Sequence, residues 1–99
     1  LKVTITGVVG PTKGSAPTAY VSKEYDHRLP LPRPGDWIAW SVRDNVFKIY
    51  VQTVTLYPDE DRVEIRMRPH KVVPDGLVMA RVRFQMAGFD VRLPNESVE

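Results

Sequence analysis

The stretch Leu31 to Tyr57, LPRPGDWIAWSVRDNVFKIYVQTVTLY, constrains this chain more than any other. Pro32, Pro34 and Gly35 deny it a helical start, and Trp37 to Val42 and Val46 to Tyr57 are runs of β-branched and aromatic residues parted by the polar Arg43-Asp44-Asn45. Such runs on either side of a short polar break form a β-hairpin. The second run changes parity partway. Phe47, Ile49 and Val51 share one face, whereas Val54 and Leu56 fall on the other unless one residue is looped out. A β-bulge at Gln52-Thr53 returns both sets to one core and bends the strand, the device by which a small sheet curls.

The remaining segments add strands to that hairpin. Lys2 to Thr6 alternates polar and apolar residues, Ala19 to Tyr25 forms a short second strand, and Asp26 to Asp36 is an extended strap whose prolines cannot donate to a ladder. Between the first two strands, Gly10 to Thr18 is read as a loop. Pro58 to Asp61 reads as a turn, and Arg62 to Arg68 as a strand with Val63, Ile65 and Met67 inward. After a loop from Pro69 to Gly76, Leu77 to Met86 reads as a sixth strand, with Val78, Ala80, Val82, Phe84 and Met86 on one face and Arg81 and Arg83 on the other. Ala87-Gly88 breaks it and Phe89 to Val91 resumes pairing.

This pattern predicts an all-β fold of about six strands with little or no helix, closed or nearly closed as a small antiparallel barrel. An SH3-like barrel leads, with an OB-like barrel or a small sandwich as alternatives. The strap, Pro-x-Pro-Gly-Asp turn, long bent strand and short return strand, over roughly residues 31 to 68, resemble small bacterial SH3-like barrels in architecture. Ninety-nine residues make one domain, expected over residues 1–92 with a polar tail over 93–99.

Composition limits the chemistry. The chain has no cysteine, which excludes disulfides, thiolate metal sites and thiol nucleophiles and fits a cytoplasmic protein. No apolar run approaches a membrane span, so a membrane partner is not expected. The Asn95-Glu96-Ser97 sequon is too short a match to imply secretion. Gly7 to Ser15 only superficially resembles a phosphate loop, because Lys13 precedes Gly14, Pro11 removes an amide and no helix follows. Asp59-Glu60-Asp61 lacks the alternate ligand spacing of a calcium loop, and neither Ser22 nor Ser41 sits in a nucleophile elbow. His27 and His70 are the residues suited to proton transfer at neutral pH, as in a small ribonuclease, yet nothing in the sequence brings them together. No cofactor or metal site is expected, and neither is catalysis.

What remains is binding. Net charge is only +2, but from Arg62 to Arg92 seven basic residues face three acidic ones. If the last three long strands are neighbours, Lys48, Tyr50, Arg66, Arg68, Arg81 and Arg83 share an outer face, where cations hold phosphates and an aromatic ring stacks on a base. A solvated face whose arginine stems cover apolar surface explains the same residues without a ligand. Trp37 and Trp40 lie on opposite faces, and Trp37 falls on the less apolar one, either exposed or beneath the strap. An exposed Trp37 beside the proline strap makes the alternative expectation a protein-interaction or assembly surface, for a protein partner or a second copy.

Overall fold

A computed structural model describes residues 1–13 and 18–93. Part of the Gly10 to Thr18 loop, and the tail beyond residue 93, lie outside the described residues. Strands β1 (Lys2–Pro11), β2 (Ala19–Tyr25), β3 (Trp37–Val42), β4 (Asn45–Tyr57), β5 (Arg62–Met67), β6 (His70–Val72) and β7 (Asp90–Arg92) form one sheet, and α1 (Leu77–Met86) packs on β1 and β7. The sheet runs β3-β4-β5-β1-β2-β7, with β6 also on β1. It curls into a half-barrel, which makes the fold a small all-β, barrel-like one.

The expected hairpin and its bulge are present. Trp37 pairs with Tyr50 and Trp40 with Phe47, and the β4–β5 register slips between Val51 and Thr53. Val51 is held from both sides there. It pairs with Met67, while its N–H donates to Asp36 O and its carbonyl accepts from Gly35 N–H, both at 2.8 Å. Arg33 to Asp36 is a turn closed by Asp36 N–H donating to Arg33 O at 3.0 Å, with Pro34 and then Gly35 at φ 97° in its centre. Those are the residues that a type II turn demands. Beyond the bulge the expectation holds only in part: Val54 is half-buried, but Leu56 is exposed at the far end of the strand.

Two pairings depart from the antiparallel expectation. β1 runs parallel to β5 through Lys2–Thr6 and parallel to β6 through Val9–Pro11. The chain steps between the two at Met67 to Pro69, and Met67 folds down onto Gly7, whose place would not admit a Cβ. The anticipated loops are thus shorter. Gly10 and Pro11 belong to β1, and His70–Val72 is a strand, with Thr12 N–H donating to Val72 O at 2.8 Å.

The largest correction is at Leu77 to Met86, which is a helix. Leu77, Ala80, Phe84 and Ala87 are buried, a spacing of three and four residues that fits a helix and no strand. The helix stops as a Schellman motif. Gly88, at φ 93°, donates to Gln85 O at 3.0 Å, and Phe89 N–H donates to Phe84 O at 3.0 Å. The Phe89 and Phe84 rings meet edge to face at 5.2 Å, supplying the apolar contact that accompanies the motif.

The core is Val3, Ile5 and Val9 from β1, Val21 from β2, Ile49 and Val51 from β4, and Val63, Ile65 and Met67 from β5, covered by the buried face of α1. Phe84, fully buried, touches Phe47 at 4.8 Å, and Trp40 meets Phe89 at 5.5 Å. These rings join the β3 edge to the segment leading into β7, so side chains span a gap that strand pairing leaves open.

Candidate functional site

The outer face of the hairpin carries a second group of rings. Side chains of directly paired residues lie on the same face, so the Trp37–Tyr50 pair places both rings outside while the Ile38–Ile49 pair turns inward. The Trp37 and Tyr50 rings stand edge to face at 5.3 Å. Lys48, two residues before Tyr50 and on the same side, has Nζ 5.0 Å from the Trp37 ring centroid. Arg68 follows the end of β5, where its N–H donates to Tyr50 O at 2.9 Å, and its guanidinium lies 4.0 Å from the Tyr50 ring centroid. The result is a ladder of Lys48, Trp37, Tyr50 and Arg68, with cations at both ends and rings between. Trp37 is 57% exposed. The strap does not bury it.

The other basic residues expected on this face divide. Arg66 is on the outer side of β5 but reaches Glu64 at 3.5 Å, which offsets its charge. Arg81 and Arg83 lie on α1 and not on the sheet, because the segment that holds them is helical. At two residues apart they point about 200° from one another around the helix axis, so they do not form one patch. Arg62, outside the expected patch, makes a similar stack, its guanidinium 3.8 Å from the Tyr57 ring centroid and its Nε donating to Glu60 at 2.9 Å. Cross-strand pairing of Arg62 with Tyr57 is the sequence signal that reveals it.

Beside Trp37 lies a cleft of about 720 Å³ between β3, the end of β2 and the strap. Leu29, Pro30 and Leu31 form one wall and Ile38 and Trp40 another. The strap is held by Tyr25, whose hydroxyl donates to Pro30 O at 2.9 Å, and by Asp26, which accepts from Arg28 N–H and Nε at 3.0 Å each. Those bonds from the Arg28 side chain and then its backbone push the Asp26 carboxyl down to about 2.

The histidines sit apart. His27 lines a shallow depression next to Asp26 and Arg28, whereas His70 lines a different cleft, its ring edge to face with Phe84 at 5.5 Å. His70 as a whole is exposed, but the part of its ring that loses solvent against Phe84, and then the charge of Arg83, lower its pKa. Among the described residues, no group of three or more carboxylate or imidazole side chains is placed to hold a metal ion, and no helix is long and apolar enough to cross a membrane. The chain matches no protein-family model, no curated protein and no solved structure.

Proposed function

We propose that this protein is a non-catalytic binding module that takes single-stranded nucleic acid on the outer face of its hairpin. The observation carrying this reading is the ladder of Trp37, Tyr50, Lys48 and Arg68 on an exposed sheet surface. A base stacks on the exposed indole, and the flanking cations exchange ring contacts for phosphates, the combination by which sheet surfaces hold unpaired strands without reading sequence. Arg66 supplies a third, weaker contact because Glu64 competes for it. Arg81 and Arg83 belong to another surface and take no part. A cytoplasmic site of action accords with a chain free of cysteine.

Fluorescence-polarisation titrations with labelled single-stranded RNA and DNA test the reading. Two full phosphate contacts and the weaker third predict a slope between about −1.4 and −2.1 in log affinity against log salt. Trp37→Ala and Arg68→Glu each weaken binding, and Arg81→Glu does not. No binding at low salt overturns the proposal.

The cleft beside Trp37 supports a second reading, in which Trp37 and the strap residues Leu29, Pro30 and Leu31 dock a protein partner or a second copy. In that case Trp37→Ala abolishes capture or self-association seen by light scattering, while Arg68→Glu leaves it intact.

A further inference from the structure

The helix that replaces the expected sixth strand has two apolar faces. One, Leu77, Ala80 and Phe84, is buried. The opposite one is Val78, Met79, Val82 and Met86, which cover an arc of roughly 100° on the far side of the axis and are exposed, Val78 at 69%, Met79 at 57% and Met86 at 47%. Beside it two clefts, of about 500 and 360 Å³, meet at Val46, Phe47 and Arg83. Met79 and Val73 line the larger and Met86 the smaller, so the apolar helix face continues into concave surface between α1 and the β3–β4 hairpin tip.

The charges on this surface have one sign. Arg43 and Arg83 line the smaller cleft, and Lys48 and Arg83 the larger, beside the uncharged imidazole of His70; among the described residues no carboxylate lines either. Arg83 stands where both clefts join. An occupant therefore needs apolar side chains for the clefts and carboxylates for the arginines, and methionines at the rim adapt to varied apolar groups.

We propose that the groove beside α1 is a docking site for an acidic amphipathic peptide segment of a partner protein, with Arg83 and Arg43 pairing its carboxylates and Met79 and Met86 gripping its apolar face. This site meets the Trp37 ladder at one residue, Lys48, but its anchors Arg83, Met79 and Met86 lie outside the ladder, and its use does not depend on nucleic-acid binding. A lipid surface meets the same chemistry less well, since paired clefts around a central cation fit protruding side chains better than a planar headgroup layer.

The test uses fluorescence anisotropy with a labelled amphipathic peptide that carries leucines on one face and glutamates on the other. Controls are the same peptide with lysines in place of glutamates, and vesicles of mixed phosphatidylcholine and phosphatidylserine. The expected result is saturable binding of the acidic peptide, no binding of the lysine peptide, and weakening by about tenfold or more for Arg83→Glu and for Met79→Gln. Both side chains are exposed, so unchanged thermal melts of these variants separate lost binding from lost fold, and Trp37→Ala leaves peptide affinity unchanged. Equal binding of the two peptides, vesicle binding without peptide binding, or indifference to both Arg83→Glu and Met79→Gln overturns the proposal.

Discussion

The two faces of the β3–β4 hairpin carry the same kinds of residue and use them differently. On the inner face, Trp40 and Phe47 meet Phe84 and Phe89, residues some forty positions away, and so hold the helix against the half-barrel. On the outer face, Trp37 and Tyr50 meet each other across the hairpin, with Lys48 and Arg68 over their rings. Aromatic rings with distant apolar partners contribute stability through burial. Exposed rings held by local cations contribute little to folding and leave area for a ligand. Face, more than residue type, divides fold from function here.

Breaking the inner cluster has the largest effect. Phe84 is fully buried and touches Phe47, His70 and Phe89, so Phe84→Ala leaves a cavity at the junction of helix and sheet. The expected loss is about 3–5 kcal/mol, read by urea or thermal unfolding followed by circular dichroism. A loss under about 1 kcal/mol, the scale of an ordinary surface change, would erase the distinction between the faces. Gly7→Ala comes next. The new methyl meets the buried Met67 side chain, and overpacking of this kind costs about 1–3 kcal/mol. A Gly7→Ala, Met67→Ala double variant should lose less than the two single changes together, because Met67 is the clash. Gly88→Ala follows at about 1 kcal/mol, since an L-residue is strained at φ 93° and the atom a methyl would meet is the far end of the flexible Lys23 side chain.

These sites also show how far the sequence speaks. The hairpin, the Pro34-Gly35 turn and the bulge were legible because period-two alternation and turn residues are local signals, and the parity change from Val51 to Val54 has one economical solution. Leu77 to Met86 misled for a physical reason. Apolar residues on both sides of the helix make Val78, Ala80, Val82, Phe84 and Met86 alternate as a strand does, hiding the buried Leu77, Ala80 and Phe84. The readable cue was the stop signal, Gly88-Phe89 after Phe84, which a strand does not need. The parallel β1 pairings depend on contacts far apart in sequence, and no local pattern reports them. The candidate site divided in the same way: Lys48, Tyr50 and Trp37 came together because a hairpin register is local, and Arg81 and Arg83 went elsewhere with the helix.

His70 gives the inner face a dependence on pH. Contact with Phe84 and the nearby Arg83 charge lower its pKa in the folded state, so the unfolded chain binds the proton more readily. The contribution of neutral His70 is complete above its ordinary value near 6.5 and is lost as pH falls through the lower, folded-state value. Stability measured by urea unfolding should thus decline on acidification below about pH 6.5, and His70→Gln should flatten that decline. An unchanged profile would mean that the ring is solvated and not held against the aromatic cluster.

The smallest change in stability is expected at the most exposed ring. Trp37 has Tyr50 at its edge and Lys48 over its face, contacts that solvent holds near the lower end of their range, about 0.5 kcal/mol each. Solvent already reaches more than half of it. Trp37→Ala should therefore shift the unfolding midpoint only slightly, while removing the stacking surface and with it about 1–3 kcal/mol of single-strand affinity. The comparison sharpens if Trp40→Ala behaves the opposite way, unfolding the protein more easily because its partner is Phe89 across the gap in the half-barrel. If Trp37→Ala instead destabilises the fold as strongly as Trp40→Ala and leaves affinity intact, the outer ladder is structural, and the protein's binding surface must be sought in the groove beside the helix.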